Sequence, residues 1–265
     1  MSECKTKVIS FVNQKGGTGK TTTAVNVAAL LATEGKKTLV VDLDPQSNAT
    51  MALVDPLQIE SNHSVGPLLL GKAKLSEVLI NCNYIDCLDL IPATLELSVT
   101  ELELSQSFGG TGGIQLQKKL KKTSYDYIIC DCPPNFGLLT ANALVASTHM
   151  IVPMEPEIFA MYGLQMLMTN IVPKIRSINE ELGLLGIILV RVNPIRTLTA
   201  SIRDEVRKRY GPLLFETEIP IDVRLPESQR SHLPIVVYAK SSRSAEAYRE
   251  LTKEILSRLE KEKNE

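Results

Sequence analysis

A β-branched apolar run, KVISFV (7–12), is followed almost at once by a glycine-rich turn, KGGTGKTT (15–22). A helical stretch rich in alanine and leucine comes next, AVNVAALLATEG (24–35). Strand, glycine turn and helix in this order form a phosphate-binding loop, which restricts the chain to folds built on parallel strands and covering helices. Gly16, Gly17 and Gly19 let successive backbone N–H groups converge on phosphate oxygens, and the helix N-terminus adds partial positive charge. Thr18 and Thr22 belong to the same cradle. Lys20 is placed to reach the β- and γ-phosphates, and the Thr21 hydroxyl to complete a Mg²⁺ shell.

The rest of the chain repeats the alternation. Candidate strands lie at 7–12, 37–43, 87–93, 125–131, 149–155, 185–192 and 215–220, with an eighth candidate, PIVVY, at 234–238. Helical patterns fall near 20–33, 74–81, 95–105, 114–122, 138–147, 158–181, 198–210 and 243–261. The expected fold is therefore α/β: a single-domain P-loop NTPase over residues 1–265, with a mostly parallel sheet of about seven or eight strands flanked by helices on both faces. A second glycine-rich stretch, FGGTGG (108–113), follows a polar helical segment and has no closing lysine, so it reads as a flexible connection.

Two strands end on carboxylates. VVDLDPQSNAT (40–50) places Asp42 at a strand end and Asp44 just beyond it, ahead of Pro45. YIICDCPPNFG (127–137) ends a strand on Asp131 and stiffens its exit with Pro133 and Pro134. Ligands of open α/β sheets bind beyond the carboxyl ends of the strands, so all three acids fall near the phosphate loop. Phosphoryl transfer depends on positioning and charge neutralisation. Asp44 then suits the orientation of an attacking water, Asp42 the metal side, and Asp131 a Mg²⁺ held through water.

The loop departs from the usual pattern in one respect. Gln14 stands where glycine is expected, and a second lysine, Lys15, precedes Lys20 by five residues. This K-G-G-x-G-K-T pattern, with D-x-D-P-Q at 42–46 and D-x-P-P at 131–134, resembles the deviant Walker A ATPases of the ParA/MinD family. The likeness continues through VRVNPIRTL (190–198), IPIDVRLPES (219–228) and SAEAYRELTKEIL (244–256), and is greatest to the small chromosomal-type members.

The resemblance implies ATP and Mg²⁺ as cofactors and an ATP-dependent homodimer in which Lys15 touches the partner's nucleotide. It further implies that Pro220 and Asp222, and with them Asn193, face the adenine. Arg196 and Arg224 match the family's basic residues for non-specific DNA, and a ParB-type protein is the implied partner in chromosome or plasmid partitioning. Ile221 is apolar where many members are basic, and PESQRSHLP (226–234) differs from the family pattern. A nucleotide-gated scaffold that positions another cellular machine without DNA is the alternative. A small-molecule amidoligase fits Lys15 and DLDPQ less well.

Charge is uneven: residues 1–175 hold 13 lysines and 16 acids, and all 11 arginines lie from Arg176 onward. An arginine-biased segment suits a polyanion. No apolar run reaches the roughly 18 residues of a membrane span, the N-terminus lacks a signal-peptide core, and the C-terminal tail is charged, so a cytoplasmic protein without a membrane anchor is expected. About seven residues precede the first strand, so no helix-turn-helix extension is expected there. Cys4, Cys82, Cys87, Cys130 and Cys132 lack C-x-x-C spacing and read as small buried hydrophobes. His63, His149 and His232 read as structural or exposed.

Overall fold

The computed structural model describes residues 6–106, 108–121, 123–193 and 195–262. Seven strands form one sheet: β1 (Lys7–Phe11), β2 (Thr38–Asp42), β3 (Ile80–Asn81), β4 (Leu88–Ile91), β5 (Tyr127–Asp131), β6 (His149–Met154) and β7 (Gly183–Leu189). Their spatial order is β3-β4-β2-β5-β1-β6-β7, and every pairing is parallel except the short β3–β4 edge. The chain leaves β1 to one side for β2 and returns on the other for β6. The crevice at the carboxyl end of β1 is therefore the topological switch point of the sheet.

Alternation along the strands sorts side chains to two cores. Val8, Leu39, Val41, Ile128, Cys130 and Cys132 face one, whereas Ile9, Phe11, Val40 and Ile129 face the other. Period-two burial on both faces is what a sheet covered on each side requires. The first face is covered by α3 (Val65–Leu69), α5 (Leu97–Ser105), α6 (Gln115–Leu120), α7 (Leu138–Ala146) and α8 (Ile158–Met166). The second is covered by α1 (Lys20–Thr33), α2 (Asn48–Leu53), α12 (Ile235–Tyr238) and α13 (Arg243–Lys261). Among the described residues the remaining α-helices are α4 (Leu75–Val78), which precedes β3, α9 (Val172–Arg176), α10 (Thr197–Tyr210) and α11 (Arg224–Arg230).

Several expectations are corrected. PIVVY forms α12 rather than a strand, because Pro234 sits at its N-cap and the Asn26 side chain accepts from the Ile235 N–H. The 215–220 run follows β7 through two isolated bridges, Ile187 to Leu214 and Val192 to Pro220. The ladder breaks between the two bridges because the Glu216 and Thr217 N–H groups donate to the Glu254 carboxylate. FGGTGG is not a free connection: residues 108–114 form a 3₁₀ turn whose Gly112 lies against the Leu104 carbonyl.

The helix expected over 158–181 ends at Arg176. Before that it widens into a π turn at Leu167–Ile171, where Pro173 cannot donate back to the preceding turn. The 74–81 helix stops at Val78 and continues as β3. Cys82, Cys130 and Cys132 are buried free thiols, as expected, but Cys87 is exposed, in a left-handed turn with φ 64°. Burial pushes the Cys82 and Cys130 thiols up to about 12, which leaves them unreactive. Cys4 lies outside the described residues.

Candidate nucleotide site

The β1–α1 turn is held open by two left-handed glycines, Gly17 at φ 76° and Gly19 at φ 69°. Side chains rarely adopt this conformation, which explains glycine at both positions. Asn13 fastens the base of the turn: its amide donates to the Pro153 carbonyl at 2.7 Å and its oxygen accepts from the Lys15 N–H. Gly16 to Thr22 line a cleft of about 730 Å³, which extends to Asp44, Pro134, Pro220 and Asp222.

The two lysines behave differently. Lys20 is 6% exposed, and its ammonium donates to the Lys15 carbonyl, inside the loop. Desolvation lowers its pKa, opposed by Asp131, Cys132 and Asp44. Lys15 does not line the cleft. Its ammonium leaves the loop to pair with Glu157, just before α8, at 2.5 Å, and this bond holds the Glu157 carboxyl below its usual value.

The acids are also unequal. Asp42 and Asp131 are direct neighbours across β2 and β5, and both are fully buried. Asp42 is well supplied with donors: one oxygen accepts from the Asp44 N–H, the other from the Thr50 N–H and hydroxyl. Burial still pushes its carboxyl up to about 6. Asp131 has two buried oxygens with no hydrogen bond of normal geometry. Burial and the Asp42 charge raise its pKa well above the usual range, while Thr21 and Lys20 act in the opposite direction. An ionised carboxylate without donors is costly to bury, and a cation is the partner that resolves the cost. Asp44 is 6% exposed and is steadied by the Gln46 N–H.

At the far end, Asp222 is clamped by Arg224 through both carboxylate oxygens, at 2.9 and 3.1 Å. Burial alone would raise Asp222, but these bonds leave it lowered. Pro220 and Asp222 therefore reach the cleft, whereas Asn193 does not line it and instead accepts from the Ile195 N–H. Arg196 is exposed. Two residues escaped sequence reasoning. Gln229 of α11 lines the cleft and donates to the Thr22 hydroxyl at 2.9 Å; Glu157 holds Lys15.

A family model described as an AAA domain matches residues 6–184. The chain is 38% identical over 250 residues to the sporulation initiation inhibitor protein Soj of Bacillus subtilis (strain 168), covering 94% of this chain and 98% of that one. It is 37% identical over 254 residues to the chromosome-partitioning ATPase Soj of Treponema pallidum (strain Nichols), covering 95% and 98%. The chain belongs to the Soj/ParA family of P-loop ATPases.

The fold agrees with a solved structure at 30% identity: cobyrinic acid a,c-diamide synthase from Mycobacterium smegmatis with bound ADP and magnesium. That match has a TM-score of 0.82 and covers 96% of each chain. As a Soj/ParA ATPase, the protein carries its phosphate cradle, its D-x-D-P-Q acids and its D-x-P-P acid on three strands whose carboxyl ends meet at one cleft. Among the described residues, no helix is long and apolar enough to cross a membrane.

Proposed function

We propose that this Soj/ParA ATPase is a partition switch: ATP with Mg²⁺ joins two copies, the pair binds DNA without sequence preference, and hydrolysis stimulated by a ParB-type protein releases it. The observation that carries this reading is the divergence of the two lysines. Lys20 is committed to its own loop, whereas the Lys15 ammonium lies outside its own cleft, on an ion pair that a stronger anion can displace. The triphosphate of a second copy is such an anion. The start of α8 beside it exposes Ile158, Phe159 and Tyr162, an apolar face suited to burial against another copy.

Asp131 fits Mg²⁺ through its orphaned oxygens. Asp131 and Thr21 would hold the ion, with phosphate oxygens and water completing the shell, and when bound it neutralises phosphoryl charge. Asp42 supports that site from the neighbouring strand, since its own oxygens are already taken. Asp44 orients the attacking water, and Pro220 and Asp222 contact the base.

Sedimentation velocity tests the switch. The expected result is a monomer without nucleotide, a dimer with ATP and Mg²⁺, and loss of the dimer in Lys15→Ala. A nucleotide-free dimer that Lys15→Ala leaves unchanged would overturn the role given to Lys15.

A scaffold that works without DNA is favoured by one observation. Arg203, Arg207 and Arg224 are occupied by Glu218, Glu216 and Asp222, and Ile221 and Val223 present apolar surface nearby. ATP-dependent DNA retention separates the two readings.

A further inference from the structure

The D-x-P-P loop runs from Asp131 to Gly137 and ends at the N-terminus of α7, whose N-cap residue has no side chain to supply a cap. The missing cap comes from another helix. Glu101 of α5 accepts from the Leu139 N–H in the first turn of α7, at 3.3 Å. A carboxylate here also meets the positive end of the helix dipole. The fit around it is tight: a Cβ added at Gly137 would lie 2.2 Å from the same Glu101 oxygen. Gly137 has φ −87° and ψ −165°, extended backbone that alanine adopts without strain. A methyl group at 137 would therefore push the end of the Glu101 side chain aside, whereas the dihedral angles themselves accept alanine.

The near end of the loop is fixed by the sheet, where the Asp131 carbonyl accepts from the Leu43 N–H, and Phe136 packs against the core; the hydrogen bonds at its far end are local. The Asn135 side chain accepts from the Gly137 N–H, and the Thr140 hydroxyl donates to the Asn135 carbonyl. Pro134, in the middle of the segment, lines the nucleotide cleft. We propose that Glu101 is a positioning residue for ATP hydrolysis, acting as a clamp from α5 that fixes the far end of the Asp131–Gly137 loop. Glu101 does not line the nucleotide cleft. It works through the loop whose near end carries the orphaned Asp131 carboxylate and whose middle lines the cleft. The inference rests on assigning Asp131 and this loop to the hydrolytic side of the cleft. A displaced loop misplaces the reacting groups more than it weakens ground-state binding, so the effect belongs in kcat.

The test uses the full chain, steady-state ATP hydrolysis and thermal melts. Glu101→Ala is expected to lower kcat about tenfold with the ATP KM within about twofold, and Glu101→Gln, which keeps an acceptor oxygen, to recover most of the loss. Gly137→Ala is expected to lose kcat because its methyl group strikes Glu101. Adding Glu101→Ala to Gly137→Ala should then cost little more, because the methyl group has already displaced the same carboxylate. An unchanged kcat in Glu101→Ala would overturn the clamp, and so would losses that simply multiply in the double variant. If a variant melts early, the sign of the double-mutant coupling still decides. Wild-type turnover, and its loss on Asp131→Asn, reports on the assignment of the loop; the ratios among the Glu101 and Gly137 variants report on the clamp alone.

Discussion

Asp131 is where buried negative charge is concentrated, beside Asp42 on the neighbouring strand. Its carboxylate is fully buried with no hydrogen bond of normal geometry, and burial and the Asp42 charge raise it well above the usual carboxylate range against the opposing pull of Thr21 and Lys20. A carboxyl raised in the folded state binds more protons when folded than when unfolded. The native state therefore loses stability as pH rises from the unfolded value toward the folded one. Asp131→Asn removes that penalty. Without nucleotide, the variant is expected to melt about 2–4 °C above the wild type at pH 8, corresponding to roughly 1 kcal/mol, with the gain shrinking as pH falls. Any extra melting temperature that Mg²⁺ adds to ATP should vanish in the same variant. Calorimetry at several pH values, with and without Mg²⁺, checks both halves; a variant less stable than wild type at pH 8 contradicts the account. The place of Asp131 at a strand end was legible in the sequence, because a β-run ended on an acid and two prolines stiffened the exit beyond Cys132. The partnerless oxygens of Asp131 were not, because that depends on what the rest of the fold leaves unfilled. Glu157 and Gln229 were illegible for a related reason: their partners are 142 and 207 residues away, and neither sits in a recognisable motif.

Among the elements, those with strong local signals were read well. β1, β2, β5 and β6 lie within a residue or two of their β-branched runs, and α13 spans 243–261 as its pattern predicts. The failures share a cause, which is tertiary bonding that redirects a local preference. The run at 234–238 has strand composition, but Asn26 supplies an acceptor that starts a helix instead. No helix was expected around the divergent segment PESQRSHLP, yet residues 224–230 form α11. That helix is tied across the cleft: Gln229 donates to Thr22 on α1, and the His232 ring just beyond it bonds the Met51 carbonyl on α2. Because α2 follows the Asp44 loop, α11 joins the acidic loop to the helix that carries the phosphate cradle. Gln229 is half-buried and contributes one hydrogen bond, worth about 0.5–1.5 kcal/mol. Gln229→Ala is accordingly expected to weaken ATP binding by about 3–10-fold while moving the melting temperature by less than about 2 °C. Titration calorimetry with a non-hydrolysable analogue measures the first and a thermal melt the second. Unchanged affinity would reduce α11 to a spectator.

For the whole molecule, the question is where the positive charge of the C-terminal half is spent. Net charge by segment suggested a basic surface, yet pairing cancels much of it. Arg203 and Arg207 of α10 make two-pronged bonds to Glu218 and Glu216, Arg258 bonds Glu254 and three backbone carbonyls, and Arg224 holds Asp222 at the cleft. Composition could not reveal this, because a bidentate pair and a solvated arginine count alike in a sum. Arg196 differs: it is exposed, and among the described residues it has no ion pair. The two arginines proposed to meet DNA should therefore separate in experiment. Each phosphate neutralised steepens the dependence of log affinity on log salt by about 0.9, and an arginine already paired contributes less. Arg196→Glu is expected to flatten that slope by about one unit per protomer and to leave ATP affinity intact. Arg224→Glu should flatten it less but weaken ATP binding, because it places a second negative charge beside Asp222 at the mouth of the cleft. Gel retardation over a salt series, paired with nucleotide titrations of the same variants, measures both axes. If Arg224→Glu abolishes DNA retention while ATP affinity holds, the Asp222 pair opens in the DNA-bound state. If neither variant alters retention, the basic surface lies elsewhere and the scaffold reading gains ground.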